Sequence, residues 1–256
     1  MHRNGMSLIE LSIALVVIGL IAGSVMVGAS LIRNSEVKSV ITESQKYKTA
    51  YFDFRTKYAS WPGDMVDATQ YWGVRDGATG NDDTCSDAGT TAGTATCNGN
   101  GDGYIYARSA TYIDERYLAW QHLANAGLID GFYTGFGGTI AAPTYALGVN
   151  VPKSVISNSF YIPATLGPTS GHAQYFDRDR ISTTIYFGGT PSAPLTPEEA
   201  WNIDMKLDDG VAGSGKIYPY KGTSTWGPGC AAGDAVTAAY SLTNSNKICS
   251  LHFEIE

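Results

Sequence analysis

Oxygen-bearing side chains alternate with glycine in Asn98-Gly99-Asn100-Gly101-Asp102-Gly103, and Tyr104 and Ile105 follow. Alternate residues of a tight loop point their oxygens inward together. With a turn glycine in sixth place and an apolar residue in eighth, the stretch matches the first part of a calcium loop of the EF-hand type. Hard Ca²⁺ takes oxygen ligands, which makes Asn98, Asn100 and Asp102 the candidate metal ligands. The pattern is incomplete: Asn stands first, and the twelfth place is Ser109 in place of Glu, so a bidentate carboxylate would come from Asp114, Glu115 or elsewhere. A Gly/Asn-rich turn between strands is the competing reading, and nothing else in the chain requires a cofactor. A second acidic turn, Asp204 to Gly210 with Asp204, Asp208 and Asp209, fits either a cation site or a solvated turn. Asp82, Asp83 and Asp87 lie in a Gly/Thr-rich stretch that reads as a surface loop.

Catalytic motifs are missing. The sequence has no His-Glu-x-x-His, no Gly-x-Ser-x-Gly elbow and no phosphate loop, and Gly99 to Gly103 lacks dinucleotide-binding spacing. His2, His122, His172 and His252 have no recognisable partner pattern, so no enzyme activity is expected. A formal charge of −7 does not suggest a nucleic-acid partner.

The elements that carry these residues begin with a helix. Met1 to Gly5 holds Arg3 and His2, and an apolar run from Leu11 to Ile32 follows Met6-Ser7-Leu8-Ile9-Glu10. That run is about 22 residues, or about 33 Å of helix, enough for a hydrocarbon core of about 30 Å. A secretory signal would have a shorter core ending in a small-residue cleavage site, whereas the obvious processing glycine here, Gly5, precedes the run. Arg3 before the span orients the N-terminus to the cytoplasm and the rest of the chain outside. Gly19, Gly23 and Gly28 would allow close helix approach. Beyond Arg33 the apolar residues Val37, Val40, Ile41, Tyr47, Tyr51, Phe54 and Tyr58 recur at helical spacing, so one helix is expected to continue to about Tyr58 and stop at Trp61-Pro62-Gly63-Asp64. A carboxylate at bilayer depth, Glu10, costs roughly 2.5 to 3.5 kcal/mol on insertion scales and calls for a function.

Gly5, Met6 and Glu10 ahead of the span resemble the N-terminus of type IV pilins and of the pseudopilins of type II secretion. That resemblance implies cleavage after Gly5 by a prepilin peptidase, methylation of Met6, and a role for Glu10 as the fifth mature residue, meeting the N-terminal amine of a neighbouring subunit. Most of the family has Phe where this chain has Met6. The implied partners are prepilin peptidase, other pilin or pseudopilin subunits, an inner-membrane assembly platform and the lipid bilayer. The implied fold is α+β and pilin-like: a long N-terminal helix packed on an antiparallel-sheet head with disulfide-bounded loops. The chain then divides into a cleaved leader 1–5, a transmembrane or filament-core helix 6–32, its amphipathic extension 33–60, and an extracytoplasmic head 61–256.

Within the head, strands are expected at Tyr104 to Ala107, Tyr145 to Val149, Ser159 to Ile162, Ser182 to Phe187, Ala238 to Leu242 and Lys247 to Ile255. A second helix is expected around Ala119 to Ile129, and Thr196 followed by Pro197 marks another helix start. The four cysteines form two local groups, Cys85 with Cys97 and Cys230 with Cys249. Local pairing outside the cytoplasm would close loops of about 13 and 20 residues, worth about 3 kcal/mol each, although three connectivities are allowed. A metal site is the poorer alternative, since no Cys-x-x-Cys occurs and His252 alone lies near a cysteine. Cys230 to Cys249 is also similar to the disulfide-bounded loop near the C-terminus of many pilins.

Two functional classes follow from the resemblance. One is a structural subunit of a type IV pilus or pseudopilus, with a head large enough for a minor or specialised role. The other is a membrane-anchored or pilus-tip binding module that presents the head to a surface, a secreted substrate or DNA.

Overall fold

The computed structural model of the protein describes residues 7–75, 93–106, 114–139, 142–156, 158–166, 180–187, 193–219, 229–233 and 237–255. Helix α1 spans Leu8–Tyr58, 51 residues without a break. At 1.5 Å per residue it reaches about 76 Å. Ser7 caps it, and Ala59 ends it in the left-handed conformation (φ 54°), its N–H donating to Arg55 O at 2.8 Å. The stop therefore falls three residues before Pro62, because the αL cap closes the last turn before proline is reached.

The two halves of α1 live in different surroundings. Its large apolar side chains from Leu8 to Ile32 are 49 to 89% exposed. From Val37 onward one stripe is buried: Val37, Val40, Ser44, Tyr47, Ala50, Tyr51 and Phe54, at steps of three and four that keep it on one face. Helix α2, Ala68–Trp72, is a single short turn beyond the end of α1. Helix α3, Glu115–Asn125, lies under the buried stripe, where Tyr47 and Tyr51 meet Trp120 edge-on with centroids 5.0 and 6.1 Å apart. It starts earlier than the expected Ala119 because the Asp114 carboxylate accepts from Arg116 N and caps it there. Gly127, at φ 73°, ends that region.

Two small sheets complete the head. Strands β1, Gly138–Thr139, and β2, Ala142–Pro143, form a short antiparallel pair. The main sheet contains β3, Ser159–Leu166, β4, Arg180–Phe187, β5, Ile217–Pro219, and β6, Leu251–Glu254. Its order is β3-β4-β6-β5, and every pairing is antiparallel. Helix α4, Pro197–Leu207, precedes β5 and packs along α1. Its start agrees with the sequence: Thr196 caps it, Pro197 occupies the first turn, and Glu199 completes a capping box.

Three expected strands do not form as ladders among the described residues. Tyr104 and Tyr106 donate their backbone N–H groups to the carboxylates of Asp102 and Glu115, so no strand can use those donors. Tyr145 to Val149 contains only the bridge of Leu147 with Val151, because Val149 N and Asn150 N both turn back to Ala146 O. Ala238 to Leu242 keeps one bridge, Tyr240 with Ala231, before a turn in which Asn244 N donates to Ser241 O. The segment Lys247 to Ile255 narrows to β6, since Ile248 and Cys249 donate their N–H groups to Leu195 O instead.

Cys230 and Cys249 form a disulfide with Cα atoms 5.3 Å apart, holding 229–233 beside the start of β6. Cys97 is also disulfide-bonded, and among the described residues no cysteine is free. Cys85, its expected partner, lies outside the described residues, as do Asp82, Asp83 and Asp87. The molecule is thus α+β, with a long apolar N-terminal helix, a small antiparallel sheet and a disulfide-held loop.

Candidate functional site

The largest chemical feature is the bare first half of α1. Its most apolar 18-residue window has a mean hydropathy of 2.5 and no residue buried, and by length and composition the helix can cross a membrane. Burying a Val, Leu or Ile side chain gains about 1.5 to 3 kcal/mol, so a row of them in water is strongly unfavourable and calls for hydrocarbon or protein cover. Gly19, Gly23 and Gly28 have open space where a Cβ would stand. Glu10 sits in the first turn, where its Oε2 accepts from Ser7 N at 2.8 Å while Ser7 Oγ accepts from Glu10 N at 3.3 Å. The carboxylate therefore satisfies a backbone donor at the positive end of the helix. Gly5 and Met6 lie outside the described residues.

Where the bare half ends, polar contacts fasten the helix to the head. Arg33 grips Glu199 with Nε to Oε1 at 2.6 Å and Nη2 to Oε2 at 2.8 Å, and it also reaches Pro194 O and Glu36. Burial pushes the Glu199 carboxyl up, but hydrogen bonds from Arg33 and the Thr196 N–H, together with the guanidinium charge, pull it below its ordinary value. Ten residues further along, Glu43 accepts from Ser154 Oγ, Val155 N and Tyr161 OH at 2.7, 2.8 and 2.9 Å. Lys46 pairs with Asp130 at 2.6 Å on the exposed side. Paired charges over the aromatic stripe make the second half of α1 part of the head.

Beyond α1, the turn Trp61-Pro62-Gly63-Asp64 folds against the loop from Asn98 to Gly103. Gly63 is at φ 92°, and a Cβ there would lie 2.5 Å from Glu115 O, so glycine is required on both counts. The Gly63 N–H donates to His122 Nδ1 at 3.0 Å, which leaves the ring proton on Nε2, 3.2 Å from Cys97 O. His122 is fully buried and stacks on Phe54, and burial pushes its pKa down to about 4. It is a packed, hydrogen-bonded residue of the core.

The residues expected to hold calcium share one loop, and their oxygens have partners within the protein. Asn98 Oδ1 accepts from Thr69 N at 2.9 Å and Asn100 Oδ1 from Asp102 N at 3.0 Å. Asp102 accepts from Tyr104 N, Asn100 Nδ2 and Tyr106 OH. Asp64 organises the loop from beneath, with Oδ1 accepting from Gly101 N and Asp102 N and Oδ2 from Gly103 N at 2.7, 3.1 and 2.9 Å. Burial pushes its carboxyl up to about 6, against the pull of those three N–H donors. Glu115, fully buried, accepts from Asn100 N and Tyr106 N at 3.4 Å.

The second acidic turn does bring its carboxylates together: oxygens of Asp204, Asp208 and Asp209 lie within 4.8 Å of one another. Asp204 is fully buried and accepts from Tyr240 OH at 2.8 Å and Gly210 N at 3.2 Å, and burial pushes its carboxyl up to about 7. His252 is buried in β6, while His2 and His172 lie outside the described residues.

Sequence reasoning missed Arg33, Glu43 and Asp64 as structural fasteners. Only Glu199 carried a signal, as third residue of a capping box, and that signal was local. No known protein family, curated protein or solved structure matches the chain.

Proposed function

We propose that the protein is a pilin-like structural subunit, held in the inner membrane by the first half of α1 and assembled through it into a type IV pilus or type II secretion pseudopilus. The observation that carries this reading is the continuity of α1: one unbroken helix whose apolar residues are bare from Leu8 to Ile32 and whose next turns are locked into a head. A flexible tether would serve a simple membrane anchor. A rigid helix continuous with the head transmits the packing of the apolar half to the position of the head. Processing after Gly5 leaves that helix on the mature chain, with Met6 as a methylated N-terminus and the head on the periplasmic side. The size of the head favours a minor or specialised subunit.

In this reading Glu10 changes partner. Its capping contact with Ser7 keeps the carboxylate satisfied in a lone subunit, and in the filament it meets the amine of a neighbour. The test is to shear filaments from cells carrying the native chain or Glu10→Leu and to quantify the protein in sheared and membrane fractions. The expected result is normal membrane insertion of the variant with loss from the filament fraction. Equal incorporation of both chains would overturn the reading.

A further inference from the structure

A cleft of about 200 Å³ opens where α1, the end of α4 and the sheet meet. Its apolar wall is Leu207, Ile217, Phe253 and Ile255, and Lys48 and Lys216 stand among its lining residues. The register explains this wall: Thr183 pairs with Phe253 and Phe253 with Ile217, so one row across β4, β6 and β5 lines the same cleft as α1. We infer that this cleft is a binding site for a small organic carboxylate, with the apolar body against that row and the charged end at the two lysines.

The charges around it support that polarity. Among the described residues Lys48 donates to a neutral group, Glu254 O, at a long 3.3 Å. Neither Lys48 nor Lys216 forms an ion pair within 4 Å among the described residues. Glu254 is itself a lining residue and Asp208 lies nearby; both act on Lys48 through space and offset part of the charge of the two lysines. Asp208 Oδ2 is held by the backbone N–H groups of Lys216 and Ile217 rather than by either lysine ammonium. Burial and the charge of Lys216 depress the Lys48 ammonium, a tension that an arriving anion relieves. Thr183 is 1% exposed and lines the cleft, so a hydroxyl-bearing side chain stands beside the apolar wall. A volume of this size admits a ligand of about ten non-hydrogen atoms, below the range of drug-sized sites.

The site is independent of the filament reading. Its test uses the full chain in nanodiscs of zwitterionic phospholipid with labelled isoleucine methyl groups, titrated with benzoate, benzyl alcohol and benzylamine. The expected result is a saturable shift at Ile217 and Ile255 with benzoate alone, weakened at least tenfold by Lys216→Gln and by Lys48→Gln. Lys216 is exposed, so its replacement leaves the fold intact and keeps the test decisive. No saturable shift up to about 50 mM benzoate, equal binding of the alcohol or the amine, or unchanged binding by Lys216→Gln would each overturn the assignment.

Discussion

His122 makes the protein sensitive to acid in a way that a single replacement isolates. Its Nδ1 accepts the Gly63 N–H at 3.0 Å and its Nε2 faces Cys97 O at 3.2 Å and Thr96 Oγ1 at 3.1 Å, all in a fully buried site. Protonating Nδ1 would set one N–H against another. Burial lowers the folded pKa from 6.5 to about 4. The unfolded chain then binds a proton that the folded chain refuses, so stability present above pH 6.5 is lost as pH falls from 6.5 towards 4. A gap of that width corresponds to about 3 kcal/mol. His122→Phe keeps a flat ring against Phe54 but cannot titrate, and it leaves the Gly63 N–H and Cys97 O without their partner. At pH 7 the variant should be less stable by about 2 to 6 kcal/mol, from two buried groups at about 1 to 3 kcal/mol each. Urea unfolding of both proteins, followed by tryptophan fluorescence at pH 7, 5.5 and 4.5, supplies the comparison. The difference between them should shrink towards acid pH as the native chain alone loses its histidine contribution. A constant difference across that range, or a variant as stable as the native chain at pH 7, would refute the reasoning.

Asp204 acts in the opposite direction. Its carboxyl is raised from 3.8 to about 7, so its ionisation penalty grows as pH rises through that window, and Asp204→Asn should gain about 2 to 4 kcal/mol at pH 8 relative to pH 5; equal effects at the two pH values would contradict it. The Tyr51 hydroxyl is buried without a hydrogen-bond partner among the described residues, and Tyr51→Phe should raise stability by about 1 kcal/mol, read as an increase in Tm. Gly99→Ala would place a Cβ 2.3 Å from Gly63 O and 2.4 Å from the Asp64 backbone, where no side-chain rotation gives relief. Its expected loss is about 3 kcal/mol or more, and circular-dichroism melting within 2 °C of the native chain would count against the loop packing described.

Much of the architecture was readable from residue pattern. The long apolar run and the Val37 to Phe54 stripe specify α1 because both are periodic over many turns, and Thr196 with Pro197 and Glu199 marks α4 through chemistry confined to four residues. β5 was not legible, since Ile217-Tyr218-Pro219 is three residues at a sheet edge with a proline. The start of α3 shifted because the buried polar residues Glu115 and Asp114 at its first turn break the apolar pattern that would reveal it. The fasteners failed for a different reason. Glu43 meets Tyr161 118 residues away and Arg33 meets Glu199 166 residues away, so nothing in the local sequence distinguishes them from solvated surface charges. The Asn98 to Gly103 motif was visible as a tight turn, but the role of Asp64 beneath it depends on tertiary packing.

The filament account rests on processing of the N-terminus, which the intact mass of the membrane-extracted protein tests, with and without the cognate prepilin peptidase. The account predicts loss of Met1 to Gly5 and a methyl group on Met6 only when the peptidase is present. An uncleaved chain in both cases would contradict it and leave a single-span membrane protein with an extracytoplasmic head.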